Sequence, residues 1–161
     1  MKKYFLITLV FFGLLSCEDD VRFNNPSFQG IKGNVFWRGV RSKATIASDG
    51  SLLIESLIVN ETISLKTAAA EPQTYFLGTG EASKAVCTIT SSVTGKVKYT
   101  TGFGVGQGQI IIKEYDVINK TVTGTFKFSA ENTDKSSQAS ATVNFQQGVF
   151  YKIPVEGPKV L

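Results

Sequence analysis

Between Thr121 and Ala130 the chain alternates without a break, with Val122, Gly124, Phe126, Phe128 and Ala130 on one side and Thr121, Thr123, Thr125, Lys127 and Ser129 on the other. A period of two is the side-chain repeat of an extended strand, and it leaves no stripe that a helix could bury. The segment from Gln138 to Gln146 obeys the same rule: Ala139, Ala141, Val143 and Phe145 oppose Ser140, Thr142, Asn144 and Gln146. Each segment therefore has one dry face and one wet face. Antiparallel sheets with a solvated outer face produce that pattern, whereas parallel strands covered on both sides read as continuous apolar runs.

Runs rich in β-branched and aromatic residues, punctuated by Gly, Asn, Asp and Ser, predict further strands at Phe28–Ile31, Val35–Trp37, Lys43–Ala47, Leu52–Ile58, Thr62–Thr67, Thr74–Leu77, Lys84–Thr90, Lys96–Thr101, Gln109–Asp116 and Val149–Ile153. Asp116-Val117-Ile118-Asn119-Lys120 reads as a hairpin connection, with the aspartate capping the turn and Asn119 suited to the left-handed conformation. The short connections predict an all-β domain built as an antiparallel meander. It folds as a two-sheet sandwich or a flattened up-and-down barrel, because open edges in so long a sheet would invite aggregation. Phe126, Phe128, Val143 and Phe145 should be buried and Lys127, Thr142 and Asn144 exposed, since a one-residue slip would reverse them all.

The N-terminus has a different character. Lys2 and Lys3 precede an apolar run from Tyr4 to Leu15, the layout of a cleaved secretory signal peptide and too short for the ~20 residues of a membrane-spanning helix. Leu14-Leu15-Ser16-Cys17 resembles a bacterial lipobox. That resemblance implies removal of residues 1–16 and acylation of Cys17, which ties the protein to a membrane. Two or more acyl chains anchor stably without help from the folded domain. Residues 17–27 then read as an acidic and polar tether, and residues 28–161 as one β-domain of ordinary size.

Histidine is absent, which removes the usual general base and the commonest metal ligand. Two cysteines are present; with Cys17 carrying lipid, Cys87 is left without a partner and is expected to be a small buried hydrophobe in a strand. Lys2 and Lys3 supply half of the formal charge of +4, and no basic stripe points to nucleic acid. Gly102-Phe103-Gly104-Val105-Gly106-Gln107-Gly108 lacks the Lys-Ser/Thr ending of a phosphate loop and leads into a strand, so it is expected to be a flexible hairpin loop. Glu55, Glu61, Glu114 and Asp116 are the carboxylates that could in principle pair for hydrolysis, although Asp116 is better used as a turn cap. No calcium-loop spacing or other metal or cofactor motif is present. The aromatic residues Trp37, Tyr75, Tyr99, Phe103 and Tyr151 fall near expected strand ends or loops. Trp37, beside Arg38 and Gly39, is the best single candidate for a binding residue.

Gly108 to Asp116 followed by Asn119 to Ala130 is similar to the C-terminal signature of a domain of unknown function in small Bacteroidota lipoproteins. Gly33 with Trp37, Gln73 to Gly78, and Gly148-Val149-Phe150 before Pro154 fit more loosely. The resemblance implies a lipid-anchored β-domain with no catalytic residues to carry over. It also implies that Glu18-Asp19-Asp20, directly behind Cys17, act as an export signal to the outer face of the outer membrane. The expectation is a non-catalytic envelope binding or accessory module that takes a glycan or another envelope protein. The alternatives are a lipocalin-like carrier of an apolar ligand and a small carboxylate-based hydrolase.

Overall fold

The protein is described here by a computed structural model covering residues 26–157; Cys17, the Glu18-Asp19-Asp20 triplet and the signal peptide lie outside the described residues. Eleven strands are present among them: β1 (Ser27–Lys32), β2 (Val35–Arg38), β3 (Arg41–Ile46), β4 (Leu52–Ile58), β5 (Glu61–Thr67), β6 (Thr74–Leu77), β7 (Lys84–Ser91), β8 (Gly95–Thr100), β9 (Gln107–Asp116), β10 (Thr121–Asn132) and β11 (Thr142–Glu156). The all-β expectation holds, and every pairing is antiparallel except β11 with β3.

The strand order resolves the choice between sandwich and barrel. The eleven strands form one sheet; through the β10–β11 pairing, β2-β1-β11-β10-β9-β6 make a six-stranded layer of it and β3-β4-β5-β7-β8 a five-stranded one. The layers are stitched at two corners. At one, Val155 and Glu156 of β11 pair with Ala44 and Thr45 of β3; at the other, Glu131 and Asn132 of β10 pair with Thr100 and Tyr99 of β8. Because β10 also pairs with β11 along its length, a closed ring of seven strands results. β10 and β11 therefore cross the five-stranded layer from one edge to the other. The molecule is a flattened barrel, with β1-β2 and β9-β6 as flaps that widen one face. Two departures from a simple meander make this possible: β6 leaves its sequence neighbours to pair with β9, and β11 returns beside β1.

The alternation predicted for Thr121 to Ala130 is realised in β10, whose inward side chains are buried. Phe126, Phe128, Val143 and Phe145 are buried, while Lys127, Thr142 and Asn144 are exposed. The six-stranded layer fills the interior with rings. Phe128 lies 5.0 Å from Phe145, Phe28 lies 4.8 Å from Phe126, and Trp37 meets Phe145 edge-on. The opposite layer supplies branched aliphatics, chiefly Leu52, Ile54, Ile63 and Leu65, with Cys87 and Tyr99. Gly124 is needed where β10 passes Phe150, since a Cβ there would collide with that ring and with the Ile111 carbonyl.

Several expectations are corrected. The strand predicted from Gln138 begins at Thr142; the residues before it form a loop pinned by Asp134, which accepts from the Ser136 amide and hydroxyl. The predicted gap between Gln146 and Val149 is not a turn but a bulge inside one long strand. In the hairpin joining β9 to β10, Asp116 does cap the turn, accepting from the Ile118 and Asn119 amides at 2.9 Å each. The left-handed residue, however, is Lys120 (φ 50°), while Asn119 donates its side-chain amide to Asp116. The glycine-rich stretch is not a loose loop: Gly102 and Val105 close a tight bridge, and Gly106 and Gly108 pack on the β10 backbone.

Candidate functional site

The outer face of the six-stranded layer is uncovered in the described structure, and one row of side chains runs across it. Phe36 of β2 pairs with Ile31 of β1, which pairs with Gln146 of β11. On the other flank, Lys127 of β10 pairs with Gln109 of β9, which pairs with Phe76 of β6. Lys127 and Phe76 lie between two buried neighbours and the other four have a buried neighbour on one side, so the row, continuous through the pairings, points outward. With five gaps of ~4.8 Å the row is roughly 24 Å long. An exposed phenyl ring stands at each end, Phe36 at 60% and Phe76 at 62% exposure, and amide and ammonium groups lie between them.

The centre of the row is shaped by the bulge. Phe126 faces Gly148 and Phe128 faces Phe145, so Lys127 alone stands opposite both Gln146 and Gln147. Gln147 has a positive φ of 51°, uncommon for a residue with a side chain and a form of local strain. The extra residue turns two consecutive glutamines outward, both exposed. Bulges often re-aim side chains in this way beside functional sites. The geometry depends on Gly148, where a Cβ would sit 2.6 Å from the Phe126 ring, and on Gly30, packed against it. On the far side Gly108, at φ 150°, would carry a Cβ 2.6 Å from the Phe128 Cα, so β9 can approach β10 only as glycine.

Two shallow depressions result, one on each side of Lys127. The larger, about 560 Å³, is lined by Phe76, Gln107, Gln109, Ser129, Asn144 and Gln146 among others; the smaller, about 310 Å³, by Gln109, Thr125, Gln147 and Val149. Gln109 and Lys127 line both. The Gln146 side-chain amide donates Nε2–H to the Asn144 Oδ1 at 3.0 Å, which fixes the two amides against each other. Lys127 is the one ionisable side chain among the residues lining either depression. These walls offer hydrogen-bond donors and acceptors, one positive charge and an aromatic edge; they provide no acid–base pair.

The residues singled out from sequence lie elsewhere. Trp37, expected to present its ring, is only 4% exposed; its indole N–H donates to Glu61 at 2.8 Å while Lys32 forms an ion pair with the same carboxylate. It is a core ring with a satisfied polar tip rather than a binding platform. Tyr75 and Tyr99 are buried too, whereas Phe103 is 76% exposed. The four carboxylates do not converge: Glu61 is taken by Lys32 and Trp37, Glu55 lies 3.6 Å from Lys43, Asp116 caps its turn and Glu114 is exposed on β9. Among the described residues no three or more Asp, Glu or Cys side chains gather as a metal site. Cys87 is fully buried, and burial, aided by the Glu61 charge and opposed by Lys32, pushes its thiol up to about 12.

Sequence reasoning missed Phe76, Gln109, Gln146 and Gln147. Gln146-Gln147-Gly148 did carry a signal: a polar residue at the position where alternation demands an apolar one, followed by glycine, is what a bulge within a strand looks like. Comparison with known proteins adds the family-level result. The family described as "Domain of unknown function (DUF6252)" matches residues 24–154. No curated protein and no solved structure matches the chain.

Proposed function

The chain belongs to the DUF6252 family, and from that premise we propose that it is a non-catalytic, lipid-anchored envelope module that binds a glycan on the outer face of its six-stranded layer. The carrying observation is the outward row with Lys127 flanked by Gln109, Gln146 and Gln147 and ended by Phe76. Side-chain amides donate and accept at once, which suits vicinal hydroxyls, and an exposed aromatic ring offers an apolar plane for the C–H face of a sugar. The face is long and shallow. It suits an extended chain of sugar rings better than a compact small molecule, which would be enclosed by a deeper cleft.

Supporting the anchor are the lipobox-like Leu14-Leu15-Ser16-Cys17 and the acidic Glu18-Asp19-Asp20 behind it, which we read as a lipidation site and an outer-membrane export signal. An apolar carrier is less well supported, because rings from β1, β2, β10 and β11 fill the space between the layers where a carrier would hold its ligand. The test is a glycan microarray probed with the purified protein, followed by titration of any hit against Phe76→Ala and Lys127→Ala. Each substitution should weaken binding about tenfold or more, which is ~1.4 kcal/mol. Absence of any hit, or hits indifferent to both changes, would refute the reading.

A further inference from the structure

The end of the five-stranded layer nearest the N-terminus of β1 carries a second uncovered surface, of different chemistry. The Gly39 amide donates to the Phe28 carbonyl at 2.9 Å and the Val40 amide to the Leu57 carbonyl at 2.8 Å, so the chain entering at Pro26 is held beside the β3-β4 end of this layer. The β4-β5 turn lies there, and Thr90 donates to the Asn60 carbonyl at 2.8 Å, bringing the β7-β8 turn alongside. At these tips Val40 is 78%, Val59 95% and Val93 87% exposed, with Leu57 at 41%. Turn tips are ordinarily polar; exposed apolar side chains also occur on other turns, at Phe103, Val117 and Ile118, but at this end four come together. Leu57, Val59 and Lys96 line one shallow depression, and Leu57 with Arg41 lines the next. Arg38, Arg41 and Lys96 are exposed at this end, while Glu55 and Glu61, which line the same depressions, are engaged by Lys43 and Lys32.

We propose that this end docks on an anionic lipid surface, with the valine tips in the interface and the basic side chains at headgroup level. The inference rests on the reading of Cys17 as the lipid anchor. It follows from where the chain leaves the domain: Pro26 is nine residues after Cys17, and at ~3.5 Å per residue the anchored bilayer can be at most roughly 30 Å from β1. The surface nearest that exit is apolar and basic, the pairing that interfacial protein segments use. Retention is the work of the acyl chains; the docked end sets orientation. The residues around Phe76 sit at the opposite end of the five-stranded layer, where β8 passes into β9, and so face away from the membrane.

The burial of Cys87 makes the test direct. The full lipidated chain bearing Val59→Cys, Val93→Cys, Ser48→Cys or Phe103→Cys is labelled with a small fluorophore and reconstituted into phosphatidylethanolamine/phosphatidylglycerol vesicles containing brominated lipid. Quenching should be several-fold stronger at positions 59 and 93 than at 48 and 103, and the difference should shrink when phosphatidylglycerol is replaced by a zwitterionic lipid. Equal quenching at all four positions in acylated protein overturns the docked orientation while leaving the anchor intact. A wild-type chain that incorporates no fatty-acid analogue, or a Cys17→Ser chain that incorporates it equally, overturns the anchor and the docking inference with it.

Discussion

Truncating Phe128 to alanine tests whether the ring stack between the layers carries the domain's stability. Phe128 is 2% exposed and lies 5.0 Å from Phe145 and 6.1 Å from Phe126. A buried aromatic ring removes on the order of 150 Å² or more from water, which at ~25 cal/mol per Å² amounts to ~3–4 kcal/mol. Residual burial in the unfolded chain lowers that figure, while the cavity left among neighbours fixed on β10 and β11 raises it. The expected loss is about 3–5 kcal/mol, a large share of the 5–15 kcal/mol typical of a domain. Trp37 is the single tryptophan and part of the same cluster, so its fluorescence reports urea unfolding. With a slope of about 2 kcal/mol per molar urea, the midpoint should fall by roughly 1.5–2.5 M. Phe76→Ala, on the exposed face, should stay within about 0.5 kcal/mol of the parent. A midpoint shift below about 0.5 M for Phe128→Ala at unchanged slope would refute the packed-core argument.

Two further outcomes follow from the titrating groups. Cys87, with its thiol raised to about 12 by burial first and Glu61 second, should not react with a disulfide reagent at neutral pH until the domain unfolds in urea; prompt labelling of the folded protein would contradict its burial. Asp116 is held below its ordinary carboxylate range by the Asn119 and Ile118 amides. A lowered folded-state pKa stabilises above the unfolded value and is lost as pH falls through the folded one. Asp116→Asn should therefore lower the urea midpoint at pH 7, with the difference from the parent closing as the carboxyl protonates in acid; a deficit that does not change with pH would reject the electrostatic cap.

The parts legible in the sequence were those where one local rule dominates. β4 and β6 fall on the bounds that residue type alone predicts, because a short apolar run is bounded there by turn residues, Asp49-Gly50-Ser51 and Asn60 for β4 and Pro72 and Gly78 for β6. The loop before Thr142 escaped because Ala139 and Ala141 alternate with polar residues just as a strand would; small alanines impose that pattern without enough apolar area to enforce pairing. Trp37 was misjudged because its place next to the end of a four-residue edge strand resembles an exposed rim position. Its burial comes from packing against Phe28 and Phe145, and Glu61, far along the chain, accepts from the indole N–H. The candidate glycan face was illegible for the same reason: it is assembled from β6, β9, β10 and β11, and only the long-range order of strands brings Phe76 beside Gln109 and Lys127.

The return of β11 beside β1 has a consequence for how the protein is made. Phe28 pairs with Phe150 and Ser27 with Tyr151, so the first described strand waits for the last, and both corners need strands from the final third of the chain. A growing polypeptide can form the β3-β4-β5 hairpins early, but it cannot close the ring while synthesis continues. Closing so long a loop is entropically expensive before the contacts that reward it exist, and folds dominated by such pairings are slow, on the order of milliseconds to seconds. A domain built this way stays open until its last strand has emerged.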